Sequence, residues 1–317
     1  IPSKGLAANF IINASIFDLT YRNFGLSLFN TSLFSNFILP KSIFELIFDG
    51  IKFEDPVDIS DFDSKAYIVN SSSFSYGKSF EHEAIPFETY IGLGIRFLTG
   101  SFAYLDSFSG ELMTTSDSIY FSYEQALVNS DFNSGNGYGV DLGILCNVDE
   151  RISGQISFIG LGSSLKSNVP IQYTAQEIKL SNKEIEDFDP EDKAWTTLDS
   201  TIFKDIKVDI PAKLNLGLTY IYSEKIHLKT SMRHLMQTKF IGLVSPRFSL
   251  GFEFLPKTTF PIRAGISLGG INNAPIVGMG FGIHKGIFDF NFGMNQSGGV
   301  FNKAEGISIG SELRLLF

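Results

Sequence analysis

Several segments of the chain alternate apolar and polar residues, and the charged side chains in their polar rows are its best candidates for chemistry. Lys and Arg bind anionic groups, and the planar guanidinium of Arg grips a carboxylate through two hydrogen bonds. These rows predict either a site for an anionic headgroup or an internal salt-bridge network that stiffens the protein. The candidate ligand-binding residues are Asp141, Lys213, Lys229, Arg233, Arg247, Glu253, Arg263, Asp289 and Arg314, and His284 and Glu312 belong to the same rows.

Residues for covalent, nucleotide or metal chemistry are present, but they do not have the spacing of known sites. Gly278, Gly280 and Gly282 alternate inside a strand-like segment and precede no helix, so they do not form a dinucleotide-binding loop. The four histidines are scattered. The acidic stretch at 184–192 lacks the spacing of a calcium loop. No hydrolase elbow motif is found. We therefore expect no catalytic residue, no cofactor and no metal site, and the chain is not expected to be an enzyme.

The bulk composition excludes further classes. The 317 residues carry a net charge of −9, which argues against a nucleic-acid partner. Cys146 is the single cysteine, so an internal disulfide is impossible. No run of apolar residues approaches the length of a transmembrane helix. Phe is abundant, with 32 copies, and aromatic residues favour strands.

Strict alternation of apolar and polar residues is the strongest pattern in the chain, and it predicts β-strands. In the last segment Ile307, Ile309 and Leu313 alternate with Ser308 and Glu312. We count about 14 such segments of roughly 10 to 13 residues, longer than the average of about 5 to 6 in soluble proteins. A strand needs about 9 to 11 residues to cross a bilayer. A soluble β-sandwich, the main alternative, would have shorter strands.

These strands predict one domain, residues 1–317, that forms a transmembrane antiparallel β-barrel of about 14 strands in the bacterial outer membrane. Backbone groups in lipid must be paired within the protein, so the sheet is expected to close. Phe and Leu rows would face lipid, and the charged rows would face the lumen. The short turns near 149, 224, 257 and 285 fall on one side, which we assign to the periplasm, and the longer links fall on the other.

Two insertions interrupt the strands, and either one is a candidate plug for the lumen. Residues 40–64 are placed on the periplasmic side and begin with a short helix over 41–49, with Pro40 at its start and Gly50 after its end. Residues 162–210 are interpreted as a long external loop that contains Trp195. His82 is expected in another external turn.

Several segments resemble a known family. They are Pro-Lys-Ser-Ile-Phe-Glu-Leu at 40–46 with Phe-Asp-Gly at 48–50, Gly-Val-Asp-Leu-Gly at 139–143 with the hairpin strand at 156–162, Ile-Pro-Ala-Lys-Leu-Asn-Leu-Gly-Leu at 210–218, and Glu-Gly-Ile-Ser-Ile-Gly at 305–310. Together they resemble an uncharacterised outer-membrane family, common in Bacteroidetes and neighbouring phyla. That family is related to the fatty-acid transporter FadL and the type IX secretion protein PorV.

The resemblance implies a 14-stranded barrel, in agreement with the independent strand count. FadL-like barrels carry an N-terminal hatch in the lumen, and this chain begins on a strand. Either an N-terminal portion is missing, or another segment plugs the tube. A terminal Phe317 in phase with the last apolar row resembles the signal read by the barrel-assembly machinery.

Two functions follow as expectations. The first is a passive outer-membrane transporter or channel for hydrophobic or amphipathic small molecules. The second is a PorV-like structural or shuttle subunit of a secretion or surface-attachment complex. The expected partners are outer-membrane lipids, the barrel-assembly machinery, and either a hydrophobic ligand or a secretion-complex protein.

Overall fold

The computed structural model describes residues 6–50, 55–82, 85–181, 195–236, 244–270, 273–299 and 305–316. These residues form an antiparallel sheet of 18 strands and one short helix, which confirms the predicted all-β class. Within these ranges, no helix is long and apolar enough to cross a bilayer. The elements in chain order are β1 (Leu6–Ala14), β2 (Phe17–Tyr21), β3 (Phe24–Leu39), α1 (Lys41–Asp49), β4 (Val57–Asp58), β5 (Asp63–His82), β6 (Ile85–Thr114), β7 (Ser118–Asn129), β8 (Gly135–Asn147), β9 (Ile152–Leu161), β10 (Ser164–Ser181), β11 (Trp195–Asp209), β12 (Lys213–Ser223), β13 (Ile226–Leu235), β14 (Ser245–Phe254), β15 (Ile262–Gly270), β16 (Ile276–Lys285), β17 (Phe288–Ser297) and β18 (Gly306–Leu315).

Alternation in the sequence becomes alternation of side chains between the two faces of each strand. On β14, Phe248, Leu250 and Phe252 lie on one face and are 57%, 55% and 49% exposed, whereas Glu253 on the other face is 6% exposed. We call the apolar side the outer face and the polar side the inner face. Large apolar residues coat the outer face, as predicted.

The structure has 18 strands where the sequence predicts about 14, because the first predicted strand is divided into β1 and β2 and because β4, β10 and β11 lie in the segments interpreted as insertions. β6 spans 30 residues. Its first part pairs with β8, from Glu88 opposite Asn147 to Gly100 opposite Gly135, and its second part pairs with β7. β7 and β8 therefore lie end to end along β6 in one column of the wall. In the same way, β9 and β10 lie end to end in the next column, and β11 and β12 lie end to end in the column after it.

The strands form thirteen columns that follow one another along the wall. A column that holds two strands is named by one of them, except the first, which is named by both β1 and β2. Among the described residues, β18 pairs only with β17, while β1 and β2 both pair only with β3. The order is β1–β2, β3, β5, β6, β8, β9, β12, β13, β14, β15, β16, β17 and β18.

The two ends of the columns differ in their connections. At one end, the short-turn end, Tyr21 faces Phe24, Lys285 faces Phe288, and short turns join β8 to β9 and β12 to β13. All four turns assigned to one side by the sequence lie at this end. The opposite end, the long-link end, carries the longer connections.

The insertion that begins with α1 and the hairpin between β5 and β6 lie at the ends of the wall opposite to those expected. Leu39 pairs with Leu6 at the long-link end, so α1 and the residues that follow lie there and not with the short turns. The β5–β6 hairpin near His82, expected at the long-link end, lies at the short-turn end. The reason is that β7 and β8 lie end to end in one column and run in the same direction. The sequence analysis treated them as antiparallel neighbours, and this reversed the predicted direction of every strand before β8.

The segment 162–210 is also different from the expected loop. Its described residues form β10 and β11, which pair with each other from Ser164–Asp209 to Ile178–Trp195 and extend the wall beyond the long-link end. The acidic stretch predicted at 184–192 lies outside the described residues. Helix α1 has the predicted bounds, and its Ile47 and Phe48 are exposed. Glu45 raises the pKa of Lys41 above its ordinary value through a hydrogen bond and its charge.

Candidate ligand site on the inner face

Three cations lie together on the inner face where β12, β13 and β14 approach the long-link end. Lys213 begins β12, Arg233 lies opposite Asn215 on the neighbouring strand, and Arg247 lies opposite Arg233. The Arg233 Nε donates a hydrogen bond to Asn215 Oδ1 at 3.2 Å. We call Lys213, Arg233 and Arg247 the cationic cluster. Like charges placed directly opposite each other on a sheet repel, so this arrangement costs stability unless an anion is present.

A carboxylate near the cluster is already engaged. Asp141 Oδ2 lies 2.7 Å from Arg96 Nη2, and its other oxygen accepts the backbone N–H of Gly160 at 2.7 Å. Arg96 also donates to Ser71 at 3.0 Å. Both Arg96 and Asp141 are electrostatic neighbours of Lys213. Because Asp141 is shared in this way, it offsets Arg96 and leaves the cationic cluster in excess.

Within the described residues, none of the three cluster cations has a carboxylate at ion-pair distance. The Arg247 Nε is buried and has no hydrogen-bond partner there. A buried, unpaired donor of a charged group is unfavourable by itself. The described part of the wall therefore carries an excess of positive charge at this place, with one buried donor that lacks a hydrogen-bond partner.

A second group of charges on the inner face forms a connected network near the short-turn end. The buried carboxylate of Glu253 lies 2.9 Å from Lys229 Nζ and 2.6 Å from Arg263 Nε. Arg263 also donates to Asn291, which donates in turn to Asp289 at 2.8 Å. The His284 Nε2 lies 3.1 Å from Asp289. We call this the charge network. Its charges offset one another, which is the structural alternative left open by the sequence.

The remaining candidate, Arg314, lies apart from both groups. It pairs with Glu312 of its own strand at 2.8 Å, on the edge strand β18. The structure thus gathers Lys213, Arg233 and Arg247 in one place and Lys229, Glu253, Arg263 and Asp289 in another. Phe317, the predicted assembly signal, lies outside the described residues.

Arg96 is a functional candidate that the sequence analysis missed. It lies on the inner row of β6 beside Gly94, while Leu93, Ile95 and Phe97 form the outer row. That alternation is visible in the sequence. The partnership with Asp141 is not, because the two residues are 45 positions apart.

A belt of buried apolar side chains lies immediately on the long-link side of the cationic cluster. It runs along the inner face from β3 to the start of β14. Two strands that run towards the long-link end show this position. Leu98 follows Arg96 by two residues on β6, and Leu235 follows Arg233 by two residues on β13. We call these residues the apolar belt: Phe34, Tyr67, Val69, Leu98, Phe102, Tyr104, Ala126, Val128, Leu165, Val169, Ile171, Val208 and Val244, with Ile206, Ile210 and Leu235 packed against them.

Fold and site together define a β-sheet wall with an apolar outer face, a polar inner face, and cations next to an inner apolar surface. No protein-family model and no curated protein matches the sequence. Among solved structures, the chain is similar to the P. putida toluene transporter TodX, with 13% identity, 88% of this chain and 73% of that chain covered, and a TM-score of 0.47.

A second similar structure is the CymD monoaromatic hydrocarbon channel, with 11% identity, 97% of this chain and 84% of that chain covered, and a TM-score of 0.45. At these TM-scores we take neither a family nor a substrate from the likeness.

Proposed function

We propose that the chain forms the wall of a passive transporter in the bacterial outer membrane that carries hydrophobic or amphipathic small molecules. The outer face supports the membrane location, because Phe248, Leu250 and similar residues would be costly to leave in water. Strands of about ten residues, such as β13 to β18, match the thickness of the hydrocarbon core.

The observation that carries the proposal is the position of the cationic cluster beside the buried apolar belt, with no carboxylate at ion-pair distance from the cluster among the described residues. The cationic cluster would hold an anionic headgroup, since two of its members are arginines capable of paired hydrogen bonds. The apolar belt next to it would accept a hydrocarbon tail. A ligand with both parts fits the site better than a purely apolar or a purely ionic one.

Binding of two probes that differ only in the headgroup tests the proposal. The purified protein in lipid nanodiscs is titrated with dodecanoate and with dodecanol. We expect tighter binding of dodecanoate, and a loss of roughly 10-fold to 100-fold in its affinity in the double variant Arg233→Gln/Arg247→Gln, because charge-assisted hydrogen bonds contribute about 1.5–3 kcal/mol. Dodecanol binding should not change in that variant.

The matched control is Arg151→Gln/Lys225→Gln, which removes two exposed cations at the short-turn end. It should bind both probes like the wild type. Equal binding of the two probes by the wild type, or equal losses in the two double variants, would contradict the headgroup site. Uptake of dodecanoate into proteoliposomes, measured in parallel, tests transport itself.

A further inference from the structure

The chain between β9 and β10 crosses over the inner face of the wall. A Cβ points away from the plane of its sheet, so an atom close to a Cβ position lies over that face. A Cβ added at Gly137 of β8 would overlap the carbonyl oxygen of Ser164, and one added at Gly139 would overlap the side chain of Ser163. Both glycines lie on the inner row of β8. We call residues 162–165 the crossing segment, and it rests on the inner side of β8.

The crossing segment brings a large apolar side chain to the lumen side of the wall. The Cβ of Leu165 is 3.3 Å from the Cβ position of Gly135, and its Cδ1 is 3.1 Å from that of Gly100. Leu165 is 0% exposed, so the side that faces away from these glycines is covered as well, by other residues of the apolar belt. Beside this part of the wall, the lumen is therefore filled at the level of the belt.

The filled level lies directly next to the cationic cluster. Lys213 pairs with Ile159, which lies just before the crossing segment, and Arg96 pairs with Gly139, beneath Ser163. A ligand whose headgroup binds to the cluster would place its tail in the belt. Side chains that are already packed together leave no room for that tail. The tail can enter the belt only if part of this packing moves aside.

A β-bulge at the end of β9 lets the chain turn inward, and Asp141 fastens that bulge. The pairing of β8 with β9 shifts register between Val140 and Leu142, so β9 has one extra residue there. Gly160 lies in the bulge with a positive φ of 73°, and its N–H donates to the Asp141 carboxylate at 2.7 Å. A side chain thus takes the place of a backbone partner at the base of the crossing segment.

We infer that the crossing segment is a gate of the transport path, closed in this structure and fastened by Asp141. The inference rests on the proposed function. To open the gate, the backbone rotates about Gly160, since glycine tolerates the change in φ that this requires. The rotation moves Leu165 off Gly100 and Gly135 and frees volume in the apolar belt for a hydrocarbon tail. The wall stays intact, because β9 pairs with β8 and β12 on the short-turn side of the bulge.

A reversible disulfide tests whether the crossing segment moves. The full-length protein carries Gly139→Cys and Ser163→Cys in a Cys146→Ser background. The Ser163 Cβ is 3.3 Å from the Cβ position of Gly139, close to the separation of about 3.5–4.5 Å in a disulfide. Uptake of labelled dodecanoate is measured in cells with this variant in the outer membrane. We expect uptake to be roughly 10-fold lower after oxidation than after reduction, because a gate that cannot open limits the rate.

The matched control is Asn295→Cys with Ser308→Cys in the same background, which joins the adjacent strands β17 and β18. Oxidation of this pair should leave uptake unchanged. Equal uptake by the oxidised and reduced gate variant would overturn the inference. Failure of the gate pair to form a disulfide in folded protein would also overturn it, because Ser163 then does not lie over Gly139. Wild-type uptake no higher than that of cells without the protein would contradict the proposed function, and with it the gate.

Asp141→Ala tests the fastening without engineered cysteines, and the expected change has the opposite sign. The variant leaves the Gly160 N–H without its carboxylate, so the gate should open more often. Uptake of dodecanol, whose headgroup does not need the cationic cluster, should rise by roughly 10-fold, the factor that one charge-assisted hydrogen bond contributes. Asp141→Asn keeps an acceptor for Gly160 and should give a smaller rise. Unchanged or lower dodecanol uptake in Asp141→Ala would overturn the role of Asp141 in the gate.

Discussion

Charged residues on the inner face differ in whether a carboxylate lies within reach. Glu253 bridges Lys229 and Arg263, so that part of the wall is neutral and internally hydrogen-bonded. Arg233 and Arg247 lie opposite each other with no such bridge in the described residues. A satisfied network stabilises a wall, whereas an excess of one charge attracts a ligand of the other sign. Two clusters of the same residue types thus have different expected roles.

Glu253→Gln tests the structural role of the charge network. The change leaves Lys229 and Arg263 without their shared carboxylate. Breaking a buried ion pair typically costs about 3–5 kcal/mol, but both cations are partly exposed here, so we expect a loss of about 1–2 kcal/mol. The measurement is the midpoint temperature at which the folded band disappears in heat-modifiability gels. Glu224→Gln, an exposed change at the short-turn end, is the control and should leave the midpoint in place. Equal midpoints for both variants would show that the network contributes nothing.

At the scale of the elements, the junction between two strands of one column, such as β9 and β10, requires a particular backbone conformation. Gly160, near the end of β9, and Gly162, between β9 and β10, adopt positive φ angles of 73° and 71°, a conformation that glycine tolerates best. At the same level Ile210 N donates to Ser163 O at 2.9 Å. Close backbone approach is the reason that small residues gather there. This junction lets one column carry two strands with different neighbours.

Gly137→Ala tests the junction. A Cβ added at Gly137 would lie 1.7 Å from the carbonyl oxygen of Ser164, and the next nearest atoms are also backbone atoms, of Ser164 and Leu165. Overpacking of this kind costs about 1–3 kcal/mol or more. We therefore expect a lower unfolding midpoint or failure to fold. Gly143→Ala on the same strand is the matched control, because the nearest atoms to its added Cβ are 3.9 Å away. If the two variants are equally stable, the junction is looser than the structure shows.

At the scale of the whole molecule, the protein is arranged with apolar residues outside and charges inside over most of the wall. This arrangement suits a wall between lipid and a polar interior. The apolar belt is the exception, since it places aromatic residues such as Phe102 and Tyr104 on the inner face. The interior therefore combines a polar region with an apolar one.

Leu250→Arg and Ser249→Arg, adjacent positions on opposite faces of β14, test this arrangement. A charge on the lipid face of a barrel costs about 2–4 kcal/mol at the bilayer midplane, whereas inner-face changes are tolerated better. We expect Leu250→Arg to reduce the amount of folded protein in the outer-membrane fraction and Ser249→Arg to leave it near the wild-type level. The reverse order, or the appearance of folded wild-type chain in the soluble fraction, would contradict a lipid-facing outer surface.

Alternation was enough to predict most of the strands and their outer and inner rows, and Pro40 and Gly50 predicted the bounds of the short helix. It did not predict β10 and β11, which lie in a segment interpreted as a loop. The same pattern could not show which strands are neighbours. Pairing of Arg96 with Asp141, and the separation of Lys213 from Lys229, depend on strand register between residues far apart in sequence. Sequence could therefore supply the list of inner-face charges, and it could not divide that list into a network of ion pairs and a cluster of cations that has no carboxylate at ion-pair distance among the described residues.

The amino-acid sequence by itself determined the class of the protein, because side chains alternate with period two in any strand and apolar rows must find an apolar environment. Only the tertiary structure decided that β7 and β8 share a column and that α1 lies at the long-link end. The physical reason is that the direction of a strand and the identity of its neighbours depend on hydrogen bonds between segments that are distant in sequence. The local sequence of a strand does not determine which of those bonds form.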